Sequence, residues 1–300
     1  MKTKPIYVEI PILSKMNELW EVTQQPHMHE QWDLRFSSIT YKHKQENEPQ
    51  LFTYETKIGF GLKIAGWGKS VGNFNGEDGS RTSSLHFGTD QAISIIREGR
   101  GYWKYKPNGN VINFSTQYDY DVNFGKIGKV FDYFIFRPLI GWATALSFDV
   151  VKRWLEQGEL PKSQYIRFFC SWMITLLFFF VWLYHGLVPK ITHTHAEELI
   201  MLQNLISIND DPAKLITRLI GLAEITFGII LLFYRKKRKL FLLQMLAFPF
   251  LAGAAIIGNS NYLLHPFNPL TFNIALFVLS IIGYVLYKDI PSARTCKRKR

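Results

Sequence analysis

Glu224 lies within residues 218–228, RLIGLAEITFG, with apolar residues on both sides. If that run crosses a bilayer, the carboxyl must be paired, protonated or facing water, because an isolated charge there costs several kcal/mol. Arg218, Gly221 and Glu224 recur at spacings of three. That places them along one slowly drifting helical face, with a small residue between the charges where a neighbouring helix can approach. Two readings stand. Glu224 with Arg218, His185 and Asn268 forms a polar pocket for a proton or a polar head group, or the same residues clamp helices together.

Other candidates for chemistry are weaker. His27-Met28-His29 and His193-Thr194-His195 each offer two imidazoles, with no Cys or third His spaced to complete a site, so no metal is expected. Residues 65–70, AGWGKS, end like a phosphate loop, but Lys63 stands where the motif needs glycine. A strand with a close backbone approach reads better there. H-E-x-x-H, C-x-x-C, G-x-S-x-G and dinucleotide fingerprints are missing, so the sequence assigns no catalytic set and no cofactor. The aromatic residues Trp20, Trp32, Tyr54, Trp67, Phe87, Trp103, Phe131, Phe134 and Trp142 fill a core or line a ligand cavity.

The elements that must hold these residues are of two kinds. Residues 168–188 contain no Asp, Glu, Lys or Arg, and about 20 such residues span a bilayer as a helix. Three more apolar runs follow, at 215–234, 240–257 and 270–286, giving four expected spans. Up to Tyr165 the chain has 20 Lys+Arg against 18 Asp+Glu; from Ile166 onward it has 15 against 6. The basic excess therefore belongs to the membrane half, where it sets orientation and attracts anionic lipid and gives no sign of nucleic-acid binding. Residues 235–239, RKKRK, and the basic tail 291–300 belong in the cytoplasm, and the opening residues, MKTKPIYVEIPIL, alternate polar and apolar and lack the apolar core of a signal peptide. An inner-membrane protein with both termini cytoplasmic is expected. Cys170 and Cys296 imply neither a disulfide framework nor a metal site. In the loop after the first span, Thr194 and Glu197 fit a capping box ahead of a short helix that could lie on the outer membrane surface.

Before the first span the pattern is that of an α+β domain. Ile6, Val8, Ile10 and Ile12 alternate as in a half-buried strand, Ser14 is placed to cap a helix over 15–24, and Pro26 stops it. Strand-like runs follow at 36–42, 51–58, 62–71, 83–87, 92–97, 99–105 and 111–120. Asn75-Gly76, Asp78-Gly79 and Asn108-Gly109 supply hairpin chemistry. Over 126–156 the period becomes helical, with Phe131, Ile135, Pro138, Trp142, Leu146 and Val150 on one face and a bend expected at Pro138 and Gly141. The exposed side of this helix could rest on the bilayer surface.

Three stretches here, LWEVTQQPHMHEQWDLRFSSITY (19–41), GRGYWKY (99–105) and FDYFIFRPLIGWATALSFDVVKRWLE (131–156), resemble the START-like SRPBCC superfamily, over roughly residues 1–160. The resemblance implies a helix-grip fold with an apolar cavity lined by Trp32, Tyr54, Trp67, Phe87, Trp103, Phe131, Phe134 and Trp142, and no particular reaction. WLYHGLVPK (182–190), RLIGLAEITFG (218–228) and HPFNPLTFN (265–273) resemble the DoxX-like family of four-helix membrane proteins, over roughly 165–290. Some DoxX relatives accompany quinone-linked sulfur oxidation. The expected molecule is a helix-grip domain followed by an all-α four-helix transmembrane bundle. It would bind or transfer a lipophilic molecule such as a quinone or isoprenoid through the cytoplasmic helix-grip cavity, held beside the membrane bundle. The alternative is a membrane subunit of a quinone-linked redox complex, needing a redox partner protein.

Overall fold

The computed structural model describes residues 3–44, 48–59 and 61–299, the side chain of Tyr262 excepted. It has two compact units, Met1–Tyr165 with Pro291–Arg300, and Ile166–Ile290.

In the first unit, β1 (Ile6–Ile12) buries the four residues that alternation selects. Helix α1 (Met16–Gln24) starts from Lys15 without a side-chain cap, because the Ser14 hydroxyl bonds the Lys15 carbonyl and the Glu18 carboxylate instead. Pro26 ends α1 and occupies the first turn of α2 (Pro26–Trp32), where its missing N–H has no partner to lose. An antiparallel meander follows: β2 (Ser38–Tyr41), β3 (Leu51–Gly59), β4 (Leu62–Asn75), β5 (Arg81–Gly88), β6 (Ile96–Asn108) and β7 (Val111–Val122). The runs at 92–97 and 99–105 do not form separate strands; the residues before Ile96 turn, and one long β6 begins there. Gly79 and Gly109 adopt positive φ of +74° and +60°, as their hairpins require.

The tail does not stand apart from this sheet. Residues 297–299 form β8 (Lys297–Lys299), which pairs with β1 and completes the order β2-β3-β4-β5-β6-β7-β1-β8. Ser292 donates its N–H to Asp149 Oδ2 at 2.8 Å, Ala293 is buried, and Cys296 Sγ donates to the Ala145 carbonyl at 3.2 Å.

The helical stretch ahead of the second unit is α3 (Gly125–Phe131), a π turn over Asp132–Phe136, and α4 (Arg137–Gln157). The irregularity falls one turn earlier than expected. A proline within a helix cannot donate to the residue four back and crowds its carbonyl, and widening the turn before Pro138 relieves both. α4 packs on β1 and α2, burying Leu146 and Val150, whereas Phe131 and Ile135 at the other end of the anticipated face are exposed.

Trp32, Trp103, Tyr105, Phe114 and Phe148 form the centre of this unit. Phe114 and Phe148 stack at 4.3 Å between centroids, Tyr105 stacks on Phe114 at 5.0 Å, and Trp32 donates its indole N–H to the Val22 carbonyl at 3.0 Å. Beside them Asp33, wholly buried, accepts from Arg35 at 2.6 and 2.9 Å and pairs with His29 at 3.0 Å.

The second unit takes in most of α5 (Pro161–His185), followed by a π turn over Gly186–Thr192, α6 (Ala196–Ile206), α7 (Asp210–Phe233), α8 (Lys237–Gly258) and α9 (Pro269–Leu286). Its core is Phe178, Trp182, Leu231, Phe241, Phe248 and Leu276. Lys237, within the basic run, is buried 4.6 Å above the Trp172 ring and donates to the Leu232 carbonyl, so this lysine is an internal tie and not a surface charge. Among the described residues, five helical stretches are long and apolar enough to cross a membrane: α5, α7, α8, α9 and Gly125–Gln157. The last of these buries Asp132 and lies against β1 within the first unit.

Candidate functional site

Pro189 sits inside the helical stretch that continues α5, and the backbone there widens into the π turn. The turn swings Lys190 inward. Gly186 and Gly221 meet at this level: a Cβ on Gly221 would lie 2.6 Å from the Gly186 carbonyl oxygen, so only glycine lets α7 come so near. The approach brings Lys190 Nζ within 3.3 Å of Glu224 Oε2 and 3.2 Å of Glu198 Oε1, the latter from α6. Lys190 is 8% exposed. One ammonium thus faces two carboxylates, an excess of negative charge in an apolar setting that calls for a proton, a donor or a cation from elsewhere.

This cluster lies on the wall of a cavity of about 1310 Å³. The rest of the lining is mostly apolar, from Ile220 on α7, Leu251 and Ala255 on α8, Phe272 and Leu276 on α9, and Met201, Leu202 and Leu205 on α6. α6 is therefore one side of the cavity and packs on α7 and α8, with Asn204 Nδ2 donating to the Gly258 carbonyl at 2.7 Å. Its cap is His195, whose side chain accepts from the Glu197 N–H, in place of the expected Thr194. Trp182 also reaches the lining, and its indole N–H is buried with no acceptor among the described residues. Gln244, one turn before Phe248, is wholly buried with neither end of its amide partnered among the described residues. Unmet polar groups of this kind are rare in an interior and mark where a ligand or water belongs.

Of the four residues expected in the membrane pocket, Glu224, His185 and Asn268 line the cavity. Asn268 also caps α9 by accepting from the Thr271 N–H at 2.9 Å, and His185 lies against Phe272. Arg218 is exposed and absent from the lining. Three residues fall about 60° short of a full turn, so six residues turn Arg218 roughly 120° away from Glu224. Lys190 takes the role given to Arg218. It stands at the end of WLYHGLVPK, and Glu198 in the loop that follows, but nothing in their spacing brought either to Glu224.

The aromatic residues expected to line a cavity in the first unit separate by position. Trp32 and Trp103 are buried against one another and against Phe114. Tyr54 and Phe87 share the inner face with them: Tyr54 lies edge-on to Phe36 and covers Gly66, and Phe87 covers Gly99. Trp67 lies on the opposite face of the sheet beside His86, and Phe131 and Phe134 are exposed on the helix before α4. Trp142 is half-buried on α4. No three His, Cys, Asp or Glu side chains among the described residues are grouped to hold a metal ion.

Comparison with known proteins bears on both units. The DoxX-like family model matches residues 179–281. The "Uncharacterized membrane protein YndG" of Bacillus subtilis (strain 168) is 39% identical over 303 residues, covering 100% of this chain and 99% of the relative. Among solved structures, a STAR-related lipid transfer protein fragment from Xanthomonas axonopodis covers 50% of this chain and 85% of its own, at 12% identity and TM-score 0.39. Truncated norcoclaurine synthase from Thalictrum flavum covers 52% and 98%, at 15% identity and TM-score 0.34. At such scores the likeness is one of general chain path alone.

Proposed function

The chain belongs to the family of the membrane protein YndG, and from that premise we propose that it binds a lipophilic small molecule with a polar head inside its DoxX-like region. The observation that carries this reading is the apolar cavity of about 1310 Å³ with Lys190, Glu198 and Glu224 in its wall. Pockets of this character, mostly apolar with a few convergent polar groups, are where drug-sized ligands bind, and this one is roomier than most. The free indole N–H of Trp182 suits a carbonyl-bearing head, and the carboxylate excess suits a hydroxyl donor; a quinone and its reduced form present one and the other. The helix-grip interior is the weaker site, because Trp32, Trp103, Phe114 and Phe148 already fill its centre.

The same reading places four crossings in the membrane. β8 pairs with β1, so a chain that leaves the first unit after Tyr165 rejoins it at Pro291, which supports an even number of crossings between them. Helices α5, α7, α8 and α9 supply four, and the basic run between α7 and α8 then shares a side with both termini, the cytoplasmic side.

The test is mass spectrometry of small molecules that copurify with the full chain in mild detergent, for the wild type, Glu224→Gln and Tyr54→Ala. Loss of the ligand with Glu224→Gln and retention with Tyr54→Ala is expected. The reverse pattern moves the site into the helix-grip interior, and an empty wild type removes the reading. Recovery of a redox protein in the same preparation would favour the redox-complex alternative.

A further inference from the structure

The segment before α4 is turned inside out relative to a helix on a water-soluble protein. Its one carboxylate faces in: Asp132 is wholly buried, accepting from the Tyr120 hydroxyl at 2.7 Å and from Arg137 Nε at 2.8 Å. Its apolar residues face out. Ile127, Val130, Phe131, Phe134 and Ile135 stand at i, i+3, i+4, i+7 and i+8, and all are exposed, Ile127 by 82% and Phe134 by 64%. A contiguous apolar stripe of this kind marks a contact surface. Lys126 and Lys129, both exposed, flank it. Crossing the membrane here would pull Asp132 from its two partners, so the stripe is anchored to the sheet from within.

Beside Phe134 opens a groove of about 420 Å³ between the start of β1, the π turn and β8. Lys4, Arg298 and Lys299, all exposed, line it with Arg137, whose Nη2 is buried without an acceptor among the described residues. Arg137 already pairs with Asp119 and Asp132, so the three other cations carry the groove's excess charge.

We propose that this surface is a membrane-interface site: the stripe sits among lipid head groups and the groove receives the phosphate of an anionic phospholipid. Charge decides the occupant, since an apolar stripe edged by cations matches an anionic bilayer better than an apolar protein face. This proposal is independent of the cavity ligand.

Hydroxyl-radical footprinting of the wild-type full chain tests it, in nanodiscs of phosphatidylcholine alone and of phosphatidylcholine with phosphatidylglycerol. Phe74, exposed on β4, serves as the internal reference. Oxidation of Phe131, Tyr133 and Phe134 is expected to fall several-fold relative to Phe74 when phosphatidylglycerol is present, and to recover in high salt. Arg298→Gln/Lys299→Gln removes two cations, and at about fivefold per charge near an anionic surface most of the docked population goes with them. Oxidation that is the same in both lipids overturns the proposal, whether uniformly high, as for a wet surface, or uniformly low, as for one covered by protein. The lipid exchange alone decides the matter if the double variant unfolds.

Discussion

Lys190 holds two carboxylates together, and its removal should cost more than the removal of all three charges. Lys190→Met leaves Glu198 and Glu224 facing one another without a cation, a loss of about 3–5 kcal/mol for an uncompensated buried charge. Lys190→Met/Glu198→Gln/Glu224→Gln should recover most of the loss, as read by thermal unfolding in detergent. Asp33 makes a different prediction. Burial alone would raise its pKa, but the Arg35 guanidinium and His29 beside it hold the carboxyl well below the usual carboxylate range. A depressed folded pKa gives stability that is fully present above the unfolded value, about 3.9, and lost as pH falls through the folded one. The melting temperature should thus be level from neutral pH to about 5 and decline below about 4, with a shallower acid limb in Asp33→Asn. Glu224 was legible as a candidate because an acid among apolar residues must be paired, protonated or facing water. Lys190 was not, because a lysine at the end of an apolar run is what any span would carry, and only the π turn at Pro189 brings it inside.

The contact between the π turn and α7 depends on two glycines. Gly221→Val should push α7 off the Gly186 carbonyl, destabilise the unit by about 1–3 kcal/mol as overpacking does, and weaken ligand retention by moving Glu224 from Lys190. Thermal unfolding and copurification would register the two effects separately. Gly221 was readable as a place for close approach, since a small residue between polar ones on an apolar helix has that use. Strands were readable where turn chemistry bounded them, as at Asn108-Gly109, and were miscut at Glu98, where β6 runs on through residues with little strand preference. The tail strand was not readable at all. Lys297, Arg298 and Lys299 look like a solvated charge run, and only the open edge of β1 makes them a strand.

For the molecule as a whole, the pairing of β8 with β1 links the two ends of the chain. Reporter tags at the N and C termini should be protected from protease together in sealed inside-right cells and cut together in inverted vesicles; opposite fates would refute four crossings. Removing residues 291–300 should uncover the edge of β1 and leave Asp149 without the Ser292 amide, which native-state proteolysis would detect as earlier cleavage in the first unit. The order of synthesis adds a consequence. The ribosome makes β1 before β8, with every helix of the second unit between them, tens of seconds of elongation. Until then the nascent sheet waits with its last edge vacant, so the finished first unit is a receipt for a finished second one. A chain stalled or misinserted partway would display that edge to the quality-control proteases, and a complete one would not.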